Sequence, residues 1–522
     1  MVTAAPQFCK KRSQRIKCSK TIHTVFNFAQ SVAFWCMGVQ YQCYCQNSCN
    51  RLERIAFFPL FAHNDMRMMY NKRYFRTTGD KIMPPKKHTR REWLTMAAIA
   101  VAVPMFIPRT VFAQGKRPGA NERIGIAGIG VGRQGAPVLA NILRDARTVG
   151  VCICDVWQRR ANEIAAKHQI KDACQDYRKV IERKDVDAII TATPEHWRSV
   201  ICVSAALAGK HLYVEKPITL TIEDGKKMRA AARKTGIKFQ CGSMQRSHRV
   251  NDLACRFIRE GHLGTINEIR CANYETPWFY GMSAEPVPED LDWDMWCGPA
   301  EVVPYNKELF VPRGRPGWLS FRSFSGGEMT GWGTHGFDQI QCALGTDSTG
   351  PVEIIVEGEK LVPPIFTEPT EKRVGDEICS KPALSFRYAN GPLVKMNWDV
   401  PWNSGQRGGA IFFGEKGTVE IVRSGMTSDP KELAENWLKE HAAHRLPSHE
   451  ADWLNCIYNG NTPIGELETG IRTATICHIL NIARYVGRSL KWDPVKEEFV
   501  GDAEANTWLK REHRKEFEVP VV

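Results

Sequence analysis

The sequence predicts an α/β protein whose N-terminal folded part is a doubly wound parallel sheet. Three observations carry this expectation. A short apolar strand runs straight into a glycine-rich turn at Gly128–Gly135. Strand-like and helix-like segments then alternate as far as Cys241. Polar clusters fall just past strand ends, where open parallel sheets hold their ligands.

The 522 residues are 43% hydrophobic and 25% charged, which excludes a wholly disordered, collagenous or coiled-coil chain and leaves room for two or three domains. The net charge of +14 invites a nucleic-acid reading. The excess is confined to the first 113 residues, where 18 Lys and Arg face only Glu53, Asp65, Asp80 and Glu92; the remainder is neutral. A nucleic-acid binder carries its charge on the folded domain, so no nucleic-acid partner is expected.

Residues 1–82 match no structural pattern and read as an unassigned prefix, either an over-extended start or a disordered segment. Cys36, Cys43, Cys45 and Cys49 cluster there without a paired C-x-x-C or a matching His set, so no metal site is expected. Residues 83–113 read as a signal peptide. Thr89-Arg90-Arg91-Glu92-Trp93-Leu94-Thr95 precedes an apolar run from Met96 to Ile107 and a small residue, Ala113. The adjacent arginines resemble a twin-arginine export signal, with Trp93 where Phe is commonest. The run is shorter than the roughly 20 residues a spanning helix needs. Cleavage after Ala113 would leave no membrane span and place the mature protein outside the cytoplasm; a cytoplasmic protein with a misread leader is the alternative.

Arg123–Ala127 reads as a buried parallel strand. In the turn that follows, glycines let backbone N–H groups approach a pyrophosphate at the positive end of the next helix. Two registers fit: Gly130-Val131-Gly132-Arg133-Gln134-Gly135 completes G-x-G-x-x-G, whereas a start at Gly128 puts Arg133 in the last position. A helix over Ala136–Leu143 leads to a strand over Val149–Cys154, within which Cys152 and Cys154 point one way, into the core. The strand ends in Asp155, a carboxylate placed to accept from ribose hydroxyls and to repel a 2′-phosphate. Asp155 favours NAD; Arg159 and Arg160 close behind keep NADP as the alternative.

Further strands are expected at Asp187–Thr191, His211–Val214 and Lys238–Cys241, with helices at Trp197–Ala208 and at Glu223–Thr235, the latter stopping before Gly236. Two clusters, Thr193-Pro194-Glu195-His196 and Glu215-Lys216-Pro217, fall at strand ends. A lysine beside a nicotinamide can hold an alcohol oxygen and stabilise its developing charge. A histidine, with an ordinary pKa of about 6.5, suits the hydroxyl proton.

From about Asn121 to the C-terminus the chain resembles the glucose–fructose oxidoreductase / inositol dehydrogenase (Gfo/Idh/MocA) family. Gly209–Pro217, reading Gly-Lys-His-Leu-Tyr-Val-Glu-Lys-Pro, matches its best-known signature. Gly242–Arg246, Asp292–Pro299 and Gly333–Asp338 support it, and the tail around Lys491–Pro494 and Asp502–Asn506 is similar to a long, planctomycete-like bacterial branch. The resemblance implies a Rossmann domain over 121–243. It further implies a C-terminal substrate and oligomerisation domain over 244–522, of α/β class with a large, mainly antiparallel open sheet, and a homo-oligomer. It places the catalytic lysine at Lys216 and the catalytic histidine at His335. Cofactor contacts are implied at Gly128, Gly130, Gly132, Gly135, Asp155, Thr193, Pro194, His196, Glu215, Lys216 and Gln245, and substrate contacts at Arg246, Trp332 and Asp338. Two departures stand out: Gly331 replaces the Asp common four residues before the histidine, and Arg198 replaces a histidine in the Thr193 cluster.

Trp278, Trp293, Trp296, Trp318 and Trp332 concentrate in the stretch expected to face the cleft; aromatic faces suit sugar C–H surfaces and are equally ordinary core material. The implied activity is hydride transfer between NAD(H) and the CH–OH group of a sugar, polyol or sugar derivative. Alternatives are an NAD-dependent glycosidase working by transient oxidation and elimination, and a non-catalytic cofactor- or sugar-binding relative.

Overall fold

The computed structural model describes residues 122–310, 317–368, 379–401 and 404–522. The prefix and leader expectations over 1–113 lie outside the described residues. The first sheet contains β1 (Ile124–Ile129), β2 (Thr148–Cys154), β3 (Asp172–Cys174), β4 (Ala188–Thr191), β5 (His211–Val214) and β6 (Phe239–Cys241), in the order β3-β2-β1-β4-β5-β6. Every pairing is parallel. All six residues of β1 are buried, which is why it reads as an unbroken apolar run rather than an alternating one. Cys152 and Cys154 are buried as expected.

The connecting helices are α1 (Gly135–Ile142), α2 (Gln158–Lys167), α3 (Tyr177–Ile181), α4 (Glu195–Leu207) and α5 (Ile222–Thr235). In α5 the Thr221 side chain accepts from Asp224 N, acids occupy the first turn and bases the last, and Gly236 closes it at φ +69°. Helix α4 is buried along most of its length. Sequence reading passed over β3, α2 and α3. The strand has three residues and α3 five, too short for a periodic signal, while α2 is polar overall and buries only Ala161 and Ala165.

After α6 (Arg249–Arg259) the chain builds a nine-stranded sheet. Its strands are β7 (Ile266–Ala272), β9 (Pro351–Glu357), β11 (Ala383–Tyr388), β12 (Leu393–Trp398), β13 (Ala410–Gly414), β14 (Gly417–Val422), β15 (Gly425–Asp429), β16 (Leu490–Asp493) and β17 (Glu498–Phe499). The order is β15-β14-β13-β7-β12-β11-β9-β16-β17, and only β7–β12 is parallel. Two short strands, β8 (Phe279–Tyr280) and β10 (Ile365–Phe366), pair separately. Helices α7 (Glu328–Gly331), α8 (Gly333–Leu344) and α9 (Leu467–Val486) follow the same chain order.

Helix α9 joins the two halves. Leu467 and Ile471 sit in the core of the parallel sheet, whereas Ile476, Ile479 and Leu480 sit in the core of the nine-stranded sheet beside Phe337, Phe386 and Phe412. The apolar spacing over Thr473–Val486 predicts a packed helix, and this segment is the second part of an element that begins at Leu467. Near its end Arg484 is fully buried, and its guanidinium donates to carbonyls of Tyr274, Cys379, Ser380 and Pro382, to Thr276 Oγ1 and to Asn273 Oδ1.

Candidate active site

A cavity of about 360 Å³ opens at the carboxyl ends of β1, β4 and β5, where the strand order reverses direction. The glycine turn forms one wall and resolves the register. Gly130 adopts φ +74°, and a Cβ there would stand 2.7 Å from Thr193 Cγ2. A Cβ on Gly135 would lie 2.2 Å from the Gly130 carbonyl oxygen, so this glycine permits the close approach of α1 to the turn. Gly132 lines the cavity, and a Cβ there would meet only Arg160 Nη1 at 3.5 Å. The glycines that shape the turn are Gly130, Gly132 and Gly135. Gly128 is a correction to the expected cofactor set: it lies inside β1, packed against Val131, and does not line the cavity.

Asp155 lines the cavity at the end of β2. Its carboxylate accepts from Val131 N and Trp157 N, each at 3.0 Å, and lies 3.5 Å from Arg160 Nη1. Burial raises its pKa, against the lowering effect of Arg160. Arg160, stacked 4.8 Å over Trp157, bridges this carboxylate and the glycine turn. A cradle that a Cβ would fill, with a carboxylate at the neighbouring strand end, fits a dinucleotide. The residues placed to hold it are Gly130, Gly132, Asp155, Thr193, Pro194 and Glu215.

Glu215 is buried beside Lys216. It accepts from Gln134 Nε2 at 3.1 Å and from Lys216 N at 3.2 Å. A Cβ on Gly242 would stand 2.9 Å from its carboxylate, so the glycine makes room for it. Burial raises the Glu215 pKa, opposed by Lys216, Gln134 and Arg198. Lys216 lines the cavity and donates from Nζ to the Gly331 carbonyl at 2.9 Å. Position 331 thus acts through its backbone.

His335 lines the cavity from the first turn of α8, with its ring 5.7 Å from that of Trp332. Its Nε2 is 3.2 Å from Arg423 Nη1. A guanidinium only donates, so Nε2 accepts and the imidazole carries its proton on Nδ1. Arg423 also lies 5.5 Å over Trp332. It follows β14, about 90 residues past His335, and no local motif flags it.

The stretch containing Gly331 is tied to the first sheet by Glu195. This fully buried carboxylate accepts from Ser325 Oγ at 2.7 Å, Gly326 N at 2.9 Å and Thr330 Oγ1 at 3.0 Å. Arg198, noted in sequence only as a departure, lines the cavity and donates twice to the Thr193 carbonyl. Burial lowers its pKa from the ordinary arginine value.

Four further expected contacts lie away from the cavity. His196 is turned aside because Trp197, Arg198 and Ile201, following the capping Pro194, make up the stripe of α4 that faces it. Its Nε2 bonds the Trp296 carbonyl at 3.0 Å, and burial pushes its pKa down to about 4, so it is neutral. Gln245 donates to the Gly408 carbonyl at 2.7 Å, and the preceding residue, Met244, lines the cavity instead. Arg246 and Asp338 form a buried ion pair at 2.9 Å. Arg246 is held on its other side by Asp347 at 2.7 Å, so both residues are occupied in packing rather than in substrate contact. Trp332 does line the cavity, with Trp296 and Trp318. Trp278 and Trp293 are stacked in the neighbouring core, on Phe366 at 4.8 Å and Trp296 at 4.5 Å.

Fold and site define a two-part oxidoreductase architecture: a dinucleotide cradle on a parallel sheet, and a lysine and a histidine brought to it from the two halves. Residues 123–243 match the family model described as oxidoreductase family, NAD-binding Rossmann fold, and residues 264–519 match that of its C-terminal alpha/beta domain. The chain belongs to the Gfo/Idh/MocA oxidoreductase family. It is 24% identical over 312 residues to the uncharacterized oxidoreductase YrbE of Bacillus subtilis, covering 60% of this chain and 77% of that protein. It is 26% identical over 216 residues to the scyllo-inositol 2-dehydrogenase (NAD(+)) of the same organism, covering 41% and 58%. A levoglucosan dehydrogenase from Pseudarthrobacter phenanthrenivorans is 32% identical over 133 residues, 26% of this chain and 33% of that one. A levoglucosan dehydrogenase structure in complex with NADH and L-sorbose aligns over 71% of this chain and 99% of its own, at 19% identity and a TM-score of 0.49.

Proposed function

We propose that this protein is an NAD(H)-dependent dehydrogenase that moves hydride between the nicotinamide and the CH–OH group of a sugar, polyol or sugar derivative. The observation that carries the reading is the convergence of Lys216 and His335 on one cavity that also contains the glycine turn and Asp155. The cofactor, when bound, supplies the hydride acceptor. Lys216, held by the Gly331 carbonyl, orients the alcohol oxygen and stabilises negative charge on it. His335 takes the hydroxyl proton at Nε2, the nitrogen that Arg423 now faces, so the substrate hydroxyl takes the place of the Arg423 donor. Trp296, Trp318 and Trp332 offer apolar faces to a ring. Relatives named for inositol and levoglucosan oxidation support this substrate class. The test is to identify bound nucleotide in a denatured aliquot and to mix native protein with sugars and polyols and added NAD, reading the first turnover at 340 nm. Reduction of NAD by at least one polyol or sugar is expected; no change across the panel in a nucleotide-competent protein overturns the reading.

A second reading is a redox-neutral NAD-dependent glycosidase, favoured by a glycosyl hydrolase family 109 protein of Shewanella that is 26% identical over 159 residues. Aglycone release from aryl glycosides without net NADH would select it.

The Arg90-Arg91 leader adds an expectation about compartment and turnover. Twin-arginine export carries folded proteins, and NAD is scarce outside the cytoplasm. An exported form would therefore retain its nucleotide through many turnovers and either regenerate NAD on the enzyme by reducing a second substrate or run an internally redox-neutral reaction. Freshly purified protein that is empty and binds NAD only at millimolar concentration would refute this. Self-association through the nine-stranded sheet is the expected assembly; a monomer mass by light scattering would refute it.

A further inference from the structure

A second cavity, of about 390 Å³, shares no lining residue with the first. It lies among Pro299–Glu301, Arg322–Ser323 and Lys510–His513, with His196 in its wall. Two arginines meet there, since Arg511 Nη1 donates to the Arg322 carbonyl oxygen. The Arg322 guanidinium is stacked 4.8 Å over Trp508, and its Nε is buried without a hydrogen-bond partner. Among the described residues, neither guanidinium has a carboxylate within ion-pair distance. Glu195 and Asp224 act on Arg511 only through space. Burial and the Arg322 charge together push Arg511 down to about 10. Lys510 adds a third cation at the exposed edge, where Glu301 and Glu512 are solvated. His513 is 3.8 Å from Asp224.

Adjacent half-buried guanidiniums with no ion-pair partner are costly, and the usual compensation is an oxyanion that both forks can grip. A phosphate presents acceptor oxygens in several directions at once, which suits three cations on different walls of one cavity better than the two coplanar oxygens of a carboxylate. We propose that this cavity is a phosphate-binding site, gripped by Arg322, Arg511 and Lys510 and separate from the dinucleotide cleft. Free phosphate and a phosphomonoester share this chemistry.

The test uses the full chain saturated with NAD, so that the glycine turn does not compete. Inorganic phosphate is titrated calorimetrically against chloride of matched ionic strength, and glucose 1-phosphate is titrated in a parallel arm. Saturable binding is expected, weakened about tenfold or more in Arg511→Gln through loss of a charged hydrogen bond. Lys510→Gln, at an exposed position, keeps the test open should Arg511→Gln fail to fold, and is expected to weaken binding several-fold. Tighter binding of the sugar phosphate assigns the site to a phosphomonoester, and tighter binding of inorganic phosphate assigns it to the free ion. No saturable binding to the wild type, or wild-type affinity in a folded variant, overturns the proposal.

Discussion

Gly135→Ala tests how the glycine turn works. The added Cβ would stand 2.2 Å from the Gly130 carbonyl oxygen and 3.3 Å from Ala192 Cβ, where an ordinary contact is 3.4 Å or more. The turn must therefore retreat by about 1.2 Å, and the atom in the way is backbone, which cannot rotate aside. Overpacking of this kind costs about 1–3 kcal/mol, offset by up to about 1 kcal/mol from the better helix propensity of alanine. The larger effect falls on cofactor binding. A shift of this size removes at least one N–H from a phosphate oxygen, about 1.5–3 kcal/mol for a charged acceptor, or roughly 10- to 100-fold in Kd. Gly132→Ala is the control for stability, since its Cβ meets only the flexible Arg160 tip at 3.5 Å; the free protein should lose less than about 0.5 kcal/mol. Denaturant unfolding and NAD titration of both variants give the answer. A Gly135→Ala protein with wild-type Tm and NAD affinity within twofold would refute the packing argument.

Three other outcomes are expected. Glu195→Ala leaves Gly326 N and the Ser325 and Thr330 hydroxyls without their acceptor, so urea unfolding should show a loss of about 3–5 kcal/mol; less than 1 kcal/mol would contradict the anchoring role. His335→Asn should lower turnover roughly 10²- to 10⁴-fold while NAD affinity stays within a few fold, measured by steady-state kinetics and fluorescence titration. Burial pushes His478 down to about 3 from 6.5, with the Arg511 charge adding to it. The unfolded chain therefore binds the extra proton, and the stabilisation is fully present above about pH 6.5 and lost as pH falls towards 3. His478→Gln, which retains a partner for Thr219, should flatten the stability–pH slope between pH 4 and 6 by about 1.4 kcal/mol per unit.

Much of the parallel sheet was legible in the sequence because its signals are local. Apolar runs end in glycine or a polar cluster, and α5 carries its own cap and stop residues. The ends of β2, β4 and β5 were found for that reason, and with them Asp155, Glu215 and Lys216, whereas β1 runs two residues past the expected Ala127 and takes Gly128 into the strand. The misassignments come from side-chain direction. His196 sits one residue off the stripe of α4 that faces the cavity, and Gln245 one residue past Met244. Arg246 looked like a substrate contact because Asp347, which holds its outer nitrogens, lies 101 residues away. Arg423 was missed for the same kind of reason: it meets His335 across 88 residues of sequence, a contact that exists only in the folded chain. The role of Gly331 was hidden because a carbonyl oxygen has no sequence signature.

In the proposed reaction, hydride transfer depends on the Lys216 ammonium. The most direct test is a single-turnover measurement at 340 nm. Wild-type protein and Lys216→Met, which keeps the side-chain stem and removes Nζ, are mixed with saturating NAD and the polyol or sugar identified in the screen. A rate at least 10²-fold lower is expected in Lys216→Met, with NAD affinity within a few fold of wild type. A variant that binds NAD normally and transfers hydride at the wild-type rate would contradict it.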